Sequence, residues 1–161
     1  MFYDIYGLSL ERNSATVERF LARFCWRAGL EPLTDTFLQV WPREKYPTVP
    51  MVELDIHSIA ELTDYAERNP THGFNFYTQV ALRSDIKTVI IKFTYDAKVV
   101  FGISITDWGD NYSQAHAIEK EIREITQAYK SYISLEYPPA DDEEEFDEDM
   151  IVWPYEPDNC T

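Results

Sequence analysis

Three segments with alternating apolar and polar residues follow one another between residues 74 and 106, and they constrain the fold more than any other feature. The predicted strands are Phe74–Leu82, Thr88–Tyr95 and Lys98–Thr106. Apolar side chains recur at every second position, which is typical of strands that bury one face and leave the other in water. Only Asp96 and Ala97 separate the last two segments, so these should pair as a hairpin. The pattern therefore predicts an antiparallel β-meander.

Helical periodicity occurs in three other parts of the chain. Apolar residues spaced by three and four positions predict a helix over residues 14–28, with Gly29 as a left-handed cap. Ser58 and Glu61 have the spacing of a capping box, which predicts a helix over residues 58–69. A third helix is predicted to begin near Ser113 and to include Tyr132. The expected fold class is α+β, an antiparallel β-meander with helices packed on one face.

The end of the chain is strongly acidic. The 31 residues after Lys130 contain eleven acidic residues and no Lys or Arg, so they carry −11 of the formal net charge of −15. Eight of these carboxylates lie within residues 141–149 and are followed by large apolar side chains. We therefore expect one α+β domain over residues 1–139, followed over residues 140–161 by an acidic C-terminal extension with an aromatic end.

Composition excludes several classes of function. A pI near 4.4 disfavours direct binding to nucleic acids or to anionic membranes, since both need surface Lys and Arg. The chain has no apolar run of membrane-spanning length, no signal-peptide pattern and only two cysteines, which favours a cytoplasmic location. No motif for a nucleophile, a metal or a phosphate-binding loop is present, so neither catalysis nor a cofactor is predicted.

Two regions are candidates for binding a basic partner. Spaced carboxylates attract a cationic surface at long range, and a neighbouring tryptophan can fill a pocket at short range. The candidate residues are Asp107, Trp108 and Asp110 in one loop, and Asp141, Asp142, Glu143, Glu144, Glu145, Asp147, Glu148, Asp149 and Trp153 near the C-terminus. Two plainer interpretations also fit, namely a helix-capping turn for the loop and a solubilising tail for the acidic run.

In size, acidity, aromatic content and lack of catalytic motifs, the chain is similar to immunity proteins of bacterial toxin systems. This resemblance implies an inhibitor that neutralises a basic toxin or nuclease. One alternative is a DNA mimic that inhibits a DNA-binding protein. Another is a small-ligand module with Tyr77, Gln79, Arg83 or His57 at the mouth of a cleft. A homodimer formed through the free edge of the meander is a further possibility.

Overall fold

A computed structural model describes residues 1–33, 37–42, 51–109 and 111–153. The strands are β1 (Phe2–Ser9), β2 (Phe37–Pro42), β3 (Val52–Asp55), β4 (His72–Thr78), β5 (Ile86–Phe93), β6 (Val99–Thr106) and β7 (Lys130–Leu135). The helices are α1 (Ser14–Phe24), α2 (Ile59–Arg68), α3 (Asn111–Thr126) and α4 (Glu143–Val152), and a 3₁₀ turn covers Arg27–Leu30. The predicted α+β class is confirmed.

The strands form an antiparallel sheet in the order β3-β2-β4-β5-β6-β1-β7. The predicted meander β4-β5-β6 is present, and Ile91 of β5 lies between Phe76 of β4 and Phe101 of β6. The N-terminal strand β1 inserts between β6 and β7. On the other side, β2 joins β4 through two residue pairs only, so the β2–β3 ribbon extends a five-stranded main sheet.

The first face of the sheet carries the main core, and α1, α2 and α3 pack against it. The ring of Phe20 on α1 lies 4.7 Å from the ring of Phe101, and Phe74 and Phe93 pack side by side with ring centroids 4.6 Å apart. Leu62 on α2 and Ile118 on α3 are also buried in this cluster. Helices therefore pack on this face as the alternation of the strands predicts.

The first helix ends earlier than predicted. Cys25 has an extended backbone and forms an isolated bridge with Ala81, so α1 ends at Phe24. Gly29 was predicted to be a left-handed cap. This prediction is wrong, because Gly109 is the only glycine among the described residues that has a positive φ. Gly29 instead allows close packing, since a Cβ there would lie 2.6 Å from the Trp26 ring.

The third helix ends at Thr126, so the expectation that it includes Tyr132 is wrong. Gln127 adopts a left-handed conformation, with φ of 56°, which reverses the chain out of the helix. Tyr129 N–H then donates to the carbonyl of Leu8 at 3.0 Å, and the chain continues as β7. Tyr132 consequently belongs to a strand that pairs with β1.

The second face of the sheet is not open to water in its central part, contrary to the prediction for the meander. Its apolar side chains include Tyr6 and Leu8 of β1, Val100 of β6 and Tyr132 of β7, and Phe146 of α4 packs on them. The Phe146 ring contacts the Tyr132 ring edge-on at 4.8 Å. Residues 140–153, from the predicted extension, therefore form the layer that covers this face.

Candidate functional site

Helix α4 forms within the acidic run because its start is well suited to negative charge. Asp142 is the N-cap, and its side chain accepts a hydrogen bond from Glu145 N–H at 2.8 Å. Three glutamates, Glu143–Glu145, occupy the first turn, where the helix dipole favours carboxylates. Phe146 is fully buried and fixes the inner side of the helix against the sheet. Capping, dipole and apolar contact together offset the repulsion between the carboxylates.

Three lysines on the second face pair with the acidic segment. Lys92 Nζ lies 2.8 Å from Asp141 Oδ1. Glu143 lies between two further lysines, 3.6 Å from Lys98 Nζ and 3.3 Å from Lys130 Nζ. Lys130 also contacts Asp147. Three of the eight carboxylates in residues 141–149 are thus paired with lysines of the sheet, and the segment is held by charge as well as by Phe146.

Two carboxyl groups are enclosed on this face. Asp149 is only 4% exposed and accepts a hydrogen bond from Tyr132 O–H at 3.1 Å; burial raises its pKa. Asp4 on β1 accepts from the Ser104 hydroxyl and from Tyr137 N–H, the latter at 2.9 Å, and burial also raises its pKa. Both groups are occupied by hydrogen bonds that hold α4 and the segment before it. Their arrangement suits a structural role better than access to a substrate.

The solvent-facing side of α4 remains available. We call it the outer stripe of α4, formed by Glu144, Asp147, Glu148, Ile151 and Val152. Ile151 is 83% exposed and Val152 is 71% exposed, so two aliphatic side chains lie next to carboxylates on one helix surface. Within the described ranges, the side chains of Glu144 and Glu148 make no hydrogen bond or ion pair. This stripe combines unneutralised charge with uncovered apolar surface.

The remaining predicted site residues are distributed as follows. Asp107 lies 3.9 Å from the N-terminal amine, and Trp108 beside it is 76% exposed. The same amine lies 3.6 Å from Glu136, which precedes Tyr137, and the Tyr137 ring contacts Trp153 at 6.0 Å. The 107–109 loop and the C-terminal end of α4 are therefore at the same end of the sheet. Asp110 is outside the described residues, and so are residues 154–161.

The residues suggested for a ligand cleft do not gather at one site. Tyr77 and Gln79 line a hollow of about 310 Å³ beside Leu30 and Leu33. Arg83 instead pairs with Glu121 at 3.2 Å, and His57 pairs with Asp55 at 3.1 Å. The four side chains thus lie at three separate places on the surface and do not line one cleft.

Other chemistry has little support in the part of the chain that is described. Burial raises the pKa of the Cys25 thiol to about 12, which opposes a role as a nucleophile. No group of three or more His, Cys, Asp or Glu side chains in the described ranges has the geometry of a metal site. Among these residues no helix is long and apolar enough to cross a membrane.

Sequence reasoning missed the partners of the acidic run. Lys92, Lys98 and Lys130 come from β5, the turn before β6 and β7, and no local spacing indicates that they meet one helix. The sequence did contain a signal for the outer stripe, because aliphatic residues directly follow the carboxylates. Only the helical path of α4 shows that Ile151 and Val152 point outward.

The fold and the candidate site together define an acidic α+β domain with an exposed acidic and aliphatic helix surface. Comparison of the chain with protein-family models, with curated protein sequences and with solved structures finds no match. Function must therefore be argued from the geometry of the outer stripe and its surroundings.

Proposed function

We propose that this chain is an inhibitory binding protein that uses the outer stripe of α4 to bind a basic protein, as an immunity protein does with a toxin or nuclease. One observation carries the proposal: two unpaired carboxylates, Glu144 and Glu148, share a helix surface with two exposed aliphatic side chains. Contiguous exposed apolar surface that is rimmed by polar residues marks a site where a partner can bind.

The two kinds of side chain would act at different stages of binding. Carboxylates accelerate the encounter with a cationic surface, and the effect weakens as salt screens the charges. Ile151 and Val152 would act after contact by excluding water and slowing dissociation. Trp108, at the same end of the sheet, would extend the contact area as a second anchor.

A DNA mimic has less support. Such a protein needs a long row of unneutralised carboxylates to imitate phosphates. Here Asp141, Glu143 and Asp147 already pair with lysines of the sheet. Few negative groups on α4 remain to imitate a nucleic-acid backbone.

The test begins with capture of a partner from a lysate of the native host at low and at moderate salt, using the full chain as bait. The retained basic protein is then purified, and association and dissociation rates are measured by surface plasmon resonance. Glu144→Gln with Glu148→Gln should reduce the association rate about tenfold at low salt and flatten its salt dependence. Ile151→Ser with Val152→Ser should mainly increase the dissociation rate.

The matched control neutralises two carboxylates elsewhere, with Glu53→Gln on β3 and Glu124→Gln on α3. It changes the net charge equally but leaves α4 intact. If the control slows association as much as the α4 variant, binding depends on overall charge, and the outer stripe is not the interface. Inhibition of the captured protein's own activity, for example nuclease activity, is the second readout. Binding without inhibition would contradict an immunity function.

A further inference from the structure

Strand β7 forms one edge of the described sheet and offers backbone groups on its outer side. Glu136 N–H donates to the carbonyl of Phe2 at 3.1 Å, and residues 130–135 continue this register along β1. In an antiparallel pair, alternate residues direct their N–H and C=O groups toward the partner strand. Even-numbered residues of β7 therefore face β1. Ser131, Ile133 and Leu135 direct their backbone groups away from it.

A groove of about 210 Å³ runs along this edge. Its floor is Ser131–Ile133, one wall is α3 with Tyr112, His116, Glu119 and Arg123, and the other wall is the end of α4 with Met150 and Trp153. Successive side chains of β7 point to opposite faces of the sheet. A hollow that touches three consecutive residues, and helices from both faces, must lie beside the strand rather than above it.

Two polar side chains that line the groove lack a hydrogen-bond partner among the described residues, and an arginine lines the same groove. Ser131 Oγ and Trp153 Nε1 are buried, and neither has a hydrogen-bond partner in the part of the chain that is described. An indole N–H can only donate, so it requires an acceptor from elsewhere. Arg123 is exposed and makes no ion pair with a described residue. A buried polar group left unpaired destabilises the fold, and a ligand that carries an acceptor would satisfy the indole N–H.

We propose that this β7 edge groove binds an extended peptide segment of a partner protein, which adds to the sheet next to β7 and places an acidic side chain opposite Arg123. Its backbone would pair with the outward groups of Ser131 and Ile133, as in recognition by β-strand addition. The inference stands apart from the proposed function, because it rests on β7 and α3 rather than on the outer stripe of α4.

A second copy of this chain is a poor occupant of the groove. Pairing β7 with another β7 would press the walls formed by α3 and α4 of both copies against each other. Two chains that each carry a formal net charge of −15 also repel. A single extended strand avoids the clash of the walls, and its one acidic side chain is repelled far less than a second copy of net charge −15.

The experiment measures amide exchange and ¹H–¹⁵N NMR spectra of the full chain with two blocked peptides of about seven alternating Val and Thr residues. One peptide has Glu at its centre and the other has Lys. The Glu peptide should slow exchange of the Ser131 and Ile133 amides about tenfold or more and shift the Trp153 indole N–H signal. The Tyr132 and Ser134 amides face β1, so they should be protected with or without peptide.

One variant tests the charge preference, and two others serve as controls. Arg123→Glu should reverse it, so that the Lys peptide binds about tenfold better than the Glu peptide. Lys120→Glu, a turn earlier on the same helix, is the matched control and should leave the preference unchanged. Glu144→Gln with Glu148→Gln should also leave it unchanged, which separates this groove from the outer stripe of α4.

Three results would overturn the proposal. The first is protection of the Ser131 and Ile133 amides in the free chain, since the edge would then already be covered. The second is the lack of any response to either peptide at about 1 mM, a concentration that would half-saturate a site with a millimolar Kd. The third is an equal shift of the Trp153 indole signal by free acetate without amide protection, which would indicate a small carboxylate site.

Discussion

Lys92 Nζ and Asp141 Oδ1 form a 2.8 Å ion pair that joins the middle of the sheet to the segment leading into α4. The Lys92 side chain is only 7% exposed, whereas the Asp141 side chain is partly open to solvent. Water can therefore hydrate Asp141 when Lys92 is removed, but it cannot readily hydrate Lys92 when Asp141 is removed. Loss of one partner should not be equivalent to loss of the other.

Asp141→Asn should destabilise the fold more than Lys92→Met does. The first variant leaves a buried ammonium without a counter-ion, for which we expect a loss of about 3 kcal/mol in the free energy of unfolding. The second leaves a carboxylate that water can reach, so the expected loss is about 1 kcal/mol. Urea unfolding followed by tryptophan fluorescence measures both. Equal losses would show that the pair is not buried in solution.

Phe146→Ala should detach α4 from the sheet. The side chain is fully buried against Tyr6 and Tyr132, and removing such a ring costs about 3–5 kcal/mol. Limited proteolysis should then cut within residues 140–153 before the rest of the chain, and urea unfolding should show the loss of stability. Ile151→Ala on the same helix is the control and should change stability by about 0.5 kcal/mol or less. Equal protease resistance of the two variants would contradict the packing of α4.

Asp149→Asn should change how stability depends on pH. Burial raises the pKa of Asp149 in the folded state above its ordinary value of about 3.9, so the folded chain binds more protons than the unfolded chain just above that pH. Ionisation of Asp149 therefore lowers stability as pH rises from about 4 through the raised pKa. Asparagine at this position cannot ionise, but its side-chain oxygen can still accept the hydrogen bond from the Tyr132 hydroxyl.

Urea unfolding of both proteins at several pH values measures this effect. The stability of the native chain relative to Asp149→Asn should be greatest near about pH 4 and should fall toward neutrality. Glu148→Gln, an exposed neighbour, controls for the loss of one negative charge. A difference that rises with pH would mean that Asp149 is stabilised as a carboxylate, opposite to the direction expected from burial.

Local patterns in the sequence predicted much of the fold. The alternation between Phe74 and Thr106 indicated the meander, and the Ser58 capping box indicated α2, whose N-cap accepts from Glu61 N–H at 3.1 Å. The end of α3 was missed because Gln127 takes a left-handed conformation that a glycine would have signalled more clearly.

The candidate site was only partly predictable for a different reason. Its acidic residues are contiguous in the sequence, so their charge was evident. Their lysine partners belong to other elements, and such contacts exist only once the sheet has formed. Whether a carboxylate is neutralised, as Glu143 is, or free, as Glu148 is, depends on the direction in which α4 crosses the sheet.

The late position of α4 in the chain has a consequence for synthesis. Every described strand of the sheet has been synthesised once Leu135 is added, whereas Phe146 and the carboxylates that meet the lysines are still to be made. A nascent or prematurely terminated chain would therefore present an apolar face next to Lys92 and Lys130, whose carboxylate partners lie in the missing segment. An exposed apolar face of this kind promotes aggregation with other chains. The final helix covers this face and its segment supplies most of the negative charge, so a stop codon directly after Leu135 would uncover the face and leave a formal net charge of −4 instead of −15.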